Sequence, residues 1–471
     1  MRKPLYLVTL LAILAIVAAC RPAPTPTPTP VPAPPTPTAP PKPVTLRLAH
    51  PTWFTDFPRY KNYYIPKFEE MMAAKGTPVK IELVEYPAPD DPYREKQLLD
   101  LAAGVAPDLF ALDTFYIGAD VEAGYLLDLT DRVKAWEWDK WVEAAKGAVT
   151  YKGRVWGLNR DTDVRPLYYR KDIFEKAGIP VPWQPKSWDD VLEAARTIKE
   201  KVPDVYPIAF KAGVLGGEAT TMQGFYMLLL GAGGRLYNPE TGKWIIKSPA
   251  LLDTLRFYRT IYIDEELSVP PDFWLAGSPV DQVHLLLRDG KLAMLVTWDG
   301  VWYDSANPDH ERYIPEPPGR DAVLAYAKMP AKAPGAGIRG QDFVTISGGW
   351  CYAINAKTEH PDLAFEFLKF VYSKEEVLKH LIEYPGGLPA RKDVAEDPEW
   401  KKTVDDYTIW RANELVPLTT FRPPLPEYVK VSEAVQTATE NILLGKTPEE
   451  ALEAFAKEVT EYVGAENTEE Q

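Results

Sequence analysis

Residues 44–49 read VTLRLA, residues 79–84 read VKIELV and residues 108–112 read DLFAL. The first two runs alternate apolar and polar side chains, which is typical of half-buried strands, and the third is a short apolar strand. Apolar residues with helical spacing fill the two intervals, over Tyr63 to Lys75 and over Tyr93 to Ala103. Strands that alternate with helices at this interval predict βαβ units, and therefore an α/β fold with a mainly parallel sheet.

The downstream sequence continues with predicted amphipathic helices. They cover Ser187 to Lys201, Pro249 to Asp264, Pro361 to Ser373 and Thr447 to Val463. Ser187 and Thr447 are helix-capping residue types, and Glu450 stands where it completes a capping box with Thr447. No internal repeat of about 20–50 residues is visible, which argues against solenoids and propellers.

The N-terminus has the composition of an export signal. Arg2 and Lys3 precede an apolar run from Leu5 to Val17, which is too short for a comfortable transmembrane span. Small residues then lead to Cys20, in a pattern that resembles a bacterial lipobox. We therefore predict that residues 1–19 are a lipoprotein signal peptide and that Cys20 is lipidated. An ordinary signal peptide with an incidental cysteine is the alternative.

Proline is concentrated directly after this signal. Residues 21–43 hold 12 of the 47 prolines, interspersed with Thr, Ala and Val. Such a segment has no core-forming side chains and favours an extended polyproline-like conformation, with a reach of roughly 70 Å at about 3.1 Å per residue. We predict that residues 20–43 tether a folded domain to a membrane; an SH3-type ligand is the alternative, and it fits poorly behind an export signal.

Composition excludes several classes of protein. Of the 471 residues, 46% are apolar, which is enough for a sizeable core, and the formal net charge is −14, which argues against a nucleic-acid surface. Two cysteines exclude a disulfide scaffold, and lipidation of Cys20 leaves Cys351 without a partner. The five histidines are scattered, and no G-x-S-x-G or H-E-x-x-H motif occurs. We expect no metal, no cofactor and no catalytic triad.

One glycine motif needs a separate interpretation. Residues 335–340 match G-x-G-x-x-G, but they follow the proline-flanked segment 330–334 rather than a strand, and no helix pattern comes after them. The motif therefore predicts a loop rather than a nucleotide-binding turn.

A series of short blocks in a fixed order carries a family resemblance. The blocks are LAAGVAPD (101–108), GYLLDL (124–129), YKGRVWGL (151–158), LYYRKD (167–172), PKSWDD (185–190), GAGG (231–234), GKLAM (290–294) and GGW (348–350). In this order they resemble the extracellular solute-binding proteins, family 1, of bacterial ABC importers, which are sugar-binding lipoproteins similar to maltose-binding protein. The resemblance covers about residues 44–463.

The resemblance implies a periplasmic-binding-protein-like fold of two discontinuous α/β lobes with a hinge and a ligand cleft between them. It places lobe 1 at 44–156 and 351–390 and lobe 2 at 157–350 and 391–471, with crossings near Gly157, Trp350 and Leu388-Pro389. It also implies a monomer, lipid-anchored to the outer face of the bacterial cell membrane or on its periplasmic side. By hinge closure, such a protein captures a sugar or oligosaccharide and delivers it to an ABC permease, with no chemistry.

A sugar needs carboxylates and amides for its hydroxyls and flat rings beneath its faces. The predicted ligand-binding residues are Trp53, Phe54, Asp113, Phe115, Tyr116, Asp161, Asp163, Arg165, Gln223, Tyr226, Trp298, Asp299, Trp350 and Tyr428. Asp163 falls where maltose-binding protein has a sugar-contacting carboxylate. The alternatives are that Asp113 caps a helix and that Asp163 forms a salt bridge with Arg165.

Some tryptophans are expected to pack rather than bind. Trp136, Trp138 and Trp141 have helical spacing among charged residues, and Trp302 is assigned to the core.

Two other functions stay open at the level of sequence. One is a binding protein for a non-sugar solute, such as a polyol phosphate or a peptide. The other is a surface carbohydrate-active enzyme, in which Asp161 and Asp163 would form a glycosidase pair. Carboxylates two positions apart rarely flank a glycosidic bond from opposite sides, so binding without chemistry is the favoured interpretation.

Overall fold

The computed structural model describes residues 42–87, 90–384 and 386–471. The predicted signal peptide, Cys20 and nearly all of the tether lie outside these residues. Within the described ranges, no helix combines the length and the apolar character that crossing a membrane requires. Cys351 lies within them as a buried free thiol.

The first sheet is built by the stretch that opens the domain. Its strands are Val44–Pro51, Val79–Tyr86, Leu109–Asp113 and Trp350–Ile354. The first three run parallel, with Val44–Pro51 in the middle, and Trp350–Ile354 pairs antiparallel on the outer side of Leu109–Asp113. The predicted βαβ order is therefore confirmed for this sheet, and helices Ile65–Ala74 and Asp90–Ala103 fill the two intervals.

The second sheet is mixed, so the prediction of a mainly parallel sheet is wrong for it. Its strands are Leu167–Arg170, Tyr206–Ala209, Leu292–Val296 and Leu324–Ala327. Only Tyr206–Ala209 and Leu292–Val296 pair in parallel. Leu167–Arg170 arrives from a crossing segment rather than through a helix from a neighbouring strand, so no βαβ crossover fixes its direction.

Shorter strands complete the ladders. They are Thr150–Tyr151 with Arg154–Val155, Tyr237–Asn238 with Lys243–Lys247 and Thr468–Glu470, Met329–Pro330 with Phe343–Ser347 and Thr419–Phe421, and Asp161–Thr162 with Leu388–Pro389. The loop over residues 335–340 contains no helix or strand, as predicted.

Some of the helices begin at a residue whose side chain caps them. Those of six or more residues are Ile65–Ala74, Asp90–Ala103, Ile117–Glu122, Glu143–Ala148, Lys171–Ala177, Trp188–Lys201, Tyr226–Gly231, Pro249–Arg259, Pro279–Arg288, Pro361–Val371, Lys374–Glu383, Pro398–Thr403, Tyr428–Leu443 and Pro448–Val463. The Ser187 hydroxyl accepts a hydrogen bond from the Asp190 amide at 3.2 Å, and Thr447 forms the predicted capping box with Glu450. Caps of this kind stabilise a helix by about 1 kcal/mol each.

The three spaced tryptophans do not share one helix. Trp138–Lys140 is a single 3-10 turn after helix Thr130–Lys134, so the helical spacing was misleading. Their assignment to packing is confirmed, since Trp141 is fully buried and Trp136 and Trp138 pack against the same apolar cluster.

Two large apolar cores underlie the sheets. The first core draws its members from residues 46–158 and 351–400, and the second from Phe115 and residues 167–346 and 407–459. The chain thus passes between cores within residues 159–166, 347–350 and 401–406. Val394 and Trp400 fall in the range predicted for the second part of lobe 2, yet both pack in the first core.

The first passage is bound to the second and to the segment Leu388–Pro389. Asp161–Thr162 pairs antiparallel with Leu388–Pro389, and the Thr162 and Ser347 hydroxyls are 2.5 Å apart. A small third cluster of Val164, Leu388 and Leu415 lies beneath them. Three segments of distant sequence therefore meet beside the carboxyl ends of the strands.

Candidate functional site

Partly exposed aromatic rings collect at the carboxyl ends of the first sheet. Trp53 and Phe54 follow strand Val44–Pro51, while Trp350 pairs directly opposite Asp113. The Phe54 and Trp350 rings are 4.9 Å apart and nearly perpendicular, and Trp53 is 5.7 Å from Phe54. We call Trp53, Phe54, Asp113 and Trp350 the first edge. Its rings present flat apolar surface beside one carboxylate.

Asp113 serves both as a cap and as half of an ion pair. Its carboxylate accepts a hydrogen bond from the Phe115 amide at 3.5 Å and one from Arg422 Nη2 at 2.6 Å. Burial raises the pKa of Asp113, and Asp163 adds to this, whereas Arg422 opposes it. The capping alternative is thus present in the structure, together with a cation that the sequence pattern had not indicated.

Arginine guanidinium groups lie over the rings of Phe115 and Tyr116. The Arg422 guanidinium carbon is 4.5 Å from the Phe115 centroid, and that of Arg94 is 4.1 Å from the Tyr116 centroid. Phe115 is buried and Tyr116 half-buried, so both predicted ligand residues are packed on cations here.

The carboxylates at the crossing are each paired with an arginine. Asp161 accepts from Arg160 at 2.9 Å, and Asp163 forms an ion pair with Arg165 at 2.6 Å. Asp163 also accepts from the Gly348 amide at 2.8 Å, which joins the first passage to the second. The salt-bridge alternative for Asp163 is therefore what the structure contains, with about a quarter of the Asp163 side chain still exposed.

The parallel strands of the second sheet end at a group of polar side chains. Lys211 lies just beyond Tyr206–Ala209, and Thr297 and Trp298 follow Leu292–Val296. Lys211 Nζ donates to Gln223 Oε1 at 2.5 Å and to Thr297 Oγ1 at 2.7 Å. We call Lys211, Gln223, Thr297, Trp298 and Asp299 the second edge. Gln223 and Trp298 are partly exposed there, and the other three are buried.

The Asp299 side chain is buried in the protein interior. It is 3% exposed and pairs with Arg411, which is fully buried. Burial raises the pKa of Asp299 to about 6, helped by the nearby Asp163 and opposed by Arg411. The predicted ligand carboxylate of Asp299 thus has a protein partner. The neighbouring Trp298 ring lies against Gly300, and a Cβ atom added at position 300 would stand 1.9 Å from that ring. Trp302 is buried, as predicted.

A second, partly buried carboxylate was not predicted from the sequence. Glu218 accepts hydrogen bonds from Tyr428 at 2.6 Å, from Ser432 at 2.5 Å and from Arg422 at 3.2 Å. Burial raises the pKa of Glu218, against the effect of Arg422. Arg422 therefore bridges Asp113 of the first sheet and Glu218 beside the second core. No motif around Arg422 could have indicated this role.

Two predicted tyrosines are buried in this region. Tyr428 is fully buried and its hydroxyl is engaged by Glu218. Tyr226 is 3% exposed, and its hydroxyl has no hydrogen-bond partner in the part of the chain that the structure describes.

The segments of the two cores approach closely around Arg422. A small pocket here is lined by Thr114, Phe115, Ala148, Ser347, Phe421, Arg422 and Pro424. Gly118 packs so tightly on this region that a Cβ atom would stand 2.5 Å from the Pro424 carbonyl oxygen. The described structure is thus one in which the two halves are in contact.

The chain was compared with known proteins. A binding protein of Brucella abortus (strain 2308) is 25% identical over 392 residues, covering 82% of this chain and 87% of that protein. The arabinooligosaccharide-binding protein of Bacillus subtilis (strain 168) is 23% identical over 364 residues, covering 75% of this chain and 77% of that protein. An ABC transporter solute-binding protein from Thermotoga lettingae TMO, solved with α-D-tagatose, is 27% identical with a TM-score of 0.71, covering 89% of this chain and 100% of that one.

The family model for bacterial extracellular solute-binding proteins matches residues 53–377, which is more than half of the chain. The two sheets, the two cores and the three passages agree with the two-lobed α/β fold of the solved relative. On this match and this fold, the chain belongs to the family of bacterial extracellular solute-binding proteins.

Proposed function

We propose that this protein captures a sugar or oligosaccharide outside the cell and delivers it to an ABC transporter permease. The observation that carries the proposal is the partly exposed ring surface of the first edge beside Asp113, together with the polar side chains at the strand ends of the second sheet. Rings for the faces of a sugar and polar groups for its hydroxyls are what such a ligand requires. The names of two relatives, which bind arabino-oligosaccharide and α-D-tagatose, support this substrate class.

Capture takes place by closure of two lobes. We assign the first lobe to residues 44–158 and 351–400 and the second to 167–346 and 407–471, which follows the membership of the two cores. A ligand that contacts both edges stabilises the closed state relative to the open one, and this difference in affinity is the whole of the mechanism. The Asp113–Arg422 pair, 2.6 Å long, joins the two lobes in the closed arrangement.

The geometry favours binding without chemistry. Asp161 and Asp163, the only carboxylate pair that the sequence offered for hydrolysis, are each neutralised by an arginine. A glycosidase needs one free acid and one free base on opposite sides of the bond. A phosphate ligand would instead need uncommitted arginines, whereas Arg165, Arg411 and Arg422 all pair with carboxylates.

Anchoring belongs to the same proposal. Removal of residues 1–19, lipidation of Cys20 and a proline-rich tether over 20–43 would hold a monomeric binding domain near its permease. Incorporation of labelled fatty acid into the wild-type protein, and its loss in Cys20→Ala, tests this part directly. Equal labelling of both proteins would refute it.

A thermal-shift series tests the substrate class. D-Tagatose, maltose and arabinotriose are compared with a tripeptide and glycerol phosphate, and we expect at least one sugar to raise the melting temperature by mass action. If only the peptide or the phosphate ester raises it, the proposed substrate is wrong. Incubation with the same oligosaccharides, followed by chromatography, tests the absence of hydrolysis; released monosaccharide would contradict it.

A further inference from the structure

Lys211 differs from the other buried cations of the molecule. Seven arginines in the described ranges are buried, and each has a carboxylate within ion-pair distance: Arg59, Arg94, Arg165, Arg170, Arg391, Arg411 and Arg422. Lys211 is fully buried, and no ion pair to it is found among the described residues. Its amine instead contacts the amide oxygen of Gln223 and the hydroxyl of Thr297.

We propose that Lys211 is a positioning residue that fixes the Gln223 amide, so that its Nε2 donors face the cleft and select an acceptor oxygen on the ligand. The inference rests on the proposed function for the nature of that ligand. The acceptor that Gln223 selects is a ring oxygen, a glycosidic oxygen or the carboxylate of a sugar acid, each of which accepts hydrogen bonds and cannot donate them.

The orientation of the amide follows from hydrogen-bonding capacity. The Gln223 atom 2.5 Å from Lys211 Nζ is the amide oxygen, because the lysine amine donates to it. Thr297 Oγ1, 3.0 Å from the same oxygen, fits this assignment as a second donor. Gln223 Nε2 is then directed away from Lys211, and no hydrogen bond to it is found within the described residues.

The surroundings place this amide beside the crossing. Met222, the preceding residue, has its sulfur 3.5 Å from Arg165 Nη2 and packs against Gly348, whose Cβ would stand 2.4 Å from the Met222 methyl. Gln223 is nevertheless partly exposed. A partly exposed amide next to two passages lies where a ligand held between the lobes can reach it.

The electrostatic environment makes the contact sensitive to charge. Burial lowers the pKa of Lys211 well below its ordinary value, and Arg165 and Arg312 add to this, whereas Asp281 opposes it. His284 also approaches the group, with Nε2 at 2.8 Å from Thr297 Oγ1, and burial keeps its pKa low. A carboxylate at position 223 would therefore be stabilised by the amine, and an apolar side chain there would leave the amine without an acceptor.

Two variants of nearly the same size as glutamine separate positioning from simple packing. We expect Gln223→Glu to raise the melting temperature of the unliganded protein by about 1–3 °C, because a carboxylate compensates Lys211, and Gln223→Leu to lower it. We expect Gln223→Glu to weaken binding of the best sugar among D-tagatose, maltose and arabinotriose at least about tenfold, because two donors become acceptors. A purely structural role would change stability and affinity in the same direction.

A double-mutant cycle completes the test. It compares the stability of Lys211→Met, Gln223→Leu and the double variant with that of the wild type. We expect the double variant to lose less unfolding free energy than the two single variants lose together, since neither partner is then left alone. Additive losses, or destabilisation by Gln223→Glu equal to that by Gln223→Leu, would overturn the Lys211 assignment. Unchanged sugar affinity in Gln223→Glu would overturn the donor role. If only the tripeptide or glycerol phosphate binds the wild type, the proposed function is wrong instead, and the stability cycle then decides on Lys211.

Discussion

The two edges differ in the kind of side chain that forms them. The first edge presents partly exposed rings, Trp53, Phe54 and Trp350, which pack edge to face and hold no charge of their own. The second edge rests on buried charges, with Asp299 paired to Arg411 and Lys211 bound only to neutral groups. Rings tolerate many ligands because stacking has little directionality, whereas buried charges fix geometry. We therefore expect the first edge to supply affinity and the second to supply orientation and stability.

Breaking the buried pair of the second edge should have the largest effect. Arg411→Met leaves Asp299 buried without a partner, and we expect the free energy of unfolding to fall by about 3–5 kcal/mol. Chemical denaturation measures this. Arg256→Met, which removes an exposed pair with Glu449, is the control and should cost less than about 1 kcal/mol. Equal losses in the two variants would mean that the Asp299 pair is not a buried structural element.

Removing a ring from the first edge should change binding and not stability. Trp350→Leu deletes the surface that contacts Phe54 at 4.9 Å, and we expect sugar affinity to fall about 100-fold while the melting temperature changes little. Titration calorimetry with the sugar found by thermal shift gives the affinity. Trp138→Leu, also half-buried but away from the edge, is the matched control and should bind normally. Equal affinities for Trp350→Leu and wild type would remove Trp350 from the site.

The contrast between the edges also explains what sequence could predict. Trp53 and Phe54 were predicted because they follow a strand of a parallel sheet, whose carboxyl ends form binding sites in α/β folds, and Trp350 because it stands beside a glycine pair at a predicted crossing. Helix starts at Ser187 and Thr447 were found because capping is local. Both features depend on residues within a few positions of each other.

The ion pairs of the site depend on partners that are distant in sequence. Arg422 and Asp113 are 309 positions apart, and Arg411 and Asp299 are 112 apart, so no local pattern joins them. Asp299, between two tryptophans, has the sequence of a ligand carboxylate, and only the packing of Arg411 turns it inward. The position of the late passage between cores depends on similar long-range packing, since Val394 and Trp400 lie on short helices that pack back onto the first core.

A pH series tests whether Asp299 is as deeply buried as the structure indicates. Its pKa is about 6 in the folded protein, against an ordinary value of 3.8, so the folded state binds the proton more tightly than the unfolded state. The contribution of Asp299 to the free energy of unfolding is therefore lost as the pH rises from about 3.8 to about 6. Relative to Asp299→Asn, the wild type should lose roughly 2 kcal/mol of unfolding free energy between pH 4 and pH 5.5. Parallel pH profiles for the two proteins would contradict the raised pKa.

The smallest effect is expected at the Asp113–Arg422 pair. Asp113→Asn removes the charge that faces Arg422 but keeps an oxygen for the Phe115 amide, and Arg422 retains Glu218. Because no cation is left alone, we expect the free energy of unfolding to change by less than about 1 kcal/mol. Asp120→Asn is the matched control: Asp120 is buried with Arg94 as its ionic partner, so its loss should cost several times more. The unliganded Asp113→Asn protein should also be larger by small-angle scattering, because one contact that joins the lobes is weakened. If both variants lose the same stability, Arg422 does not share its charge between Asp113 and Glu218, and the Asp113 pair matters as much for stability as the buried Asp120 pair.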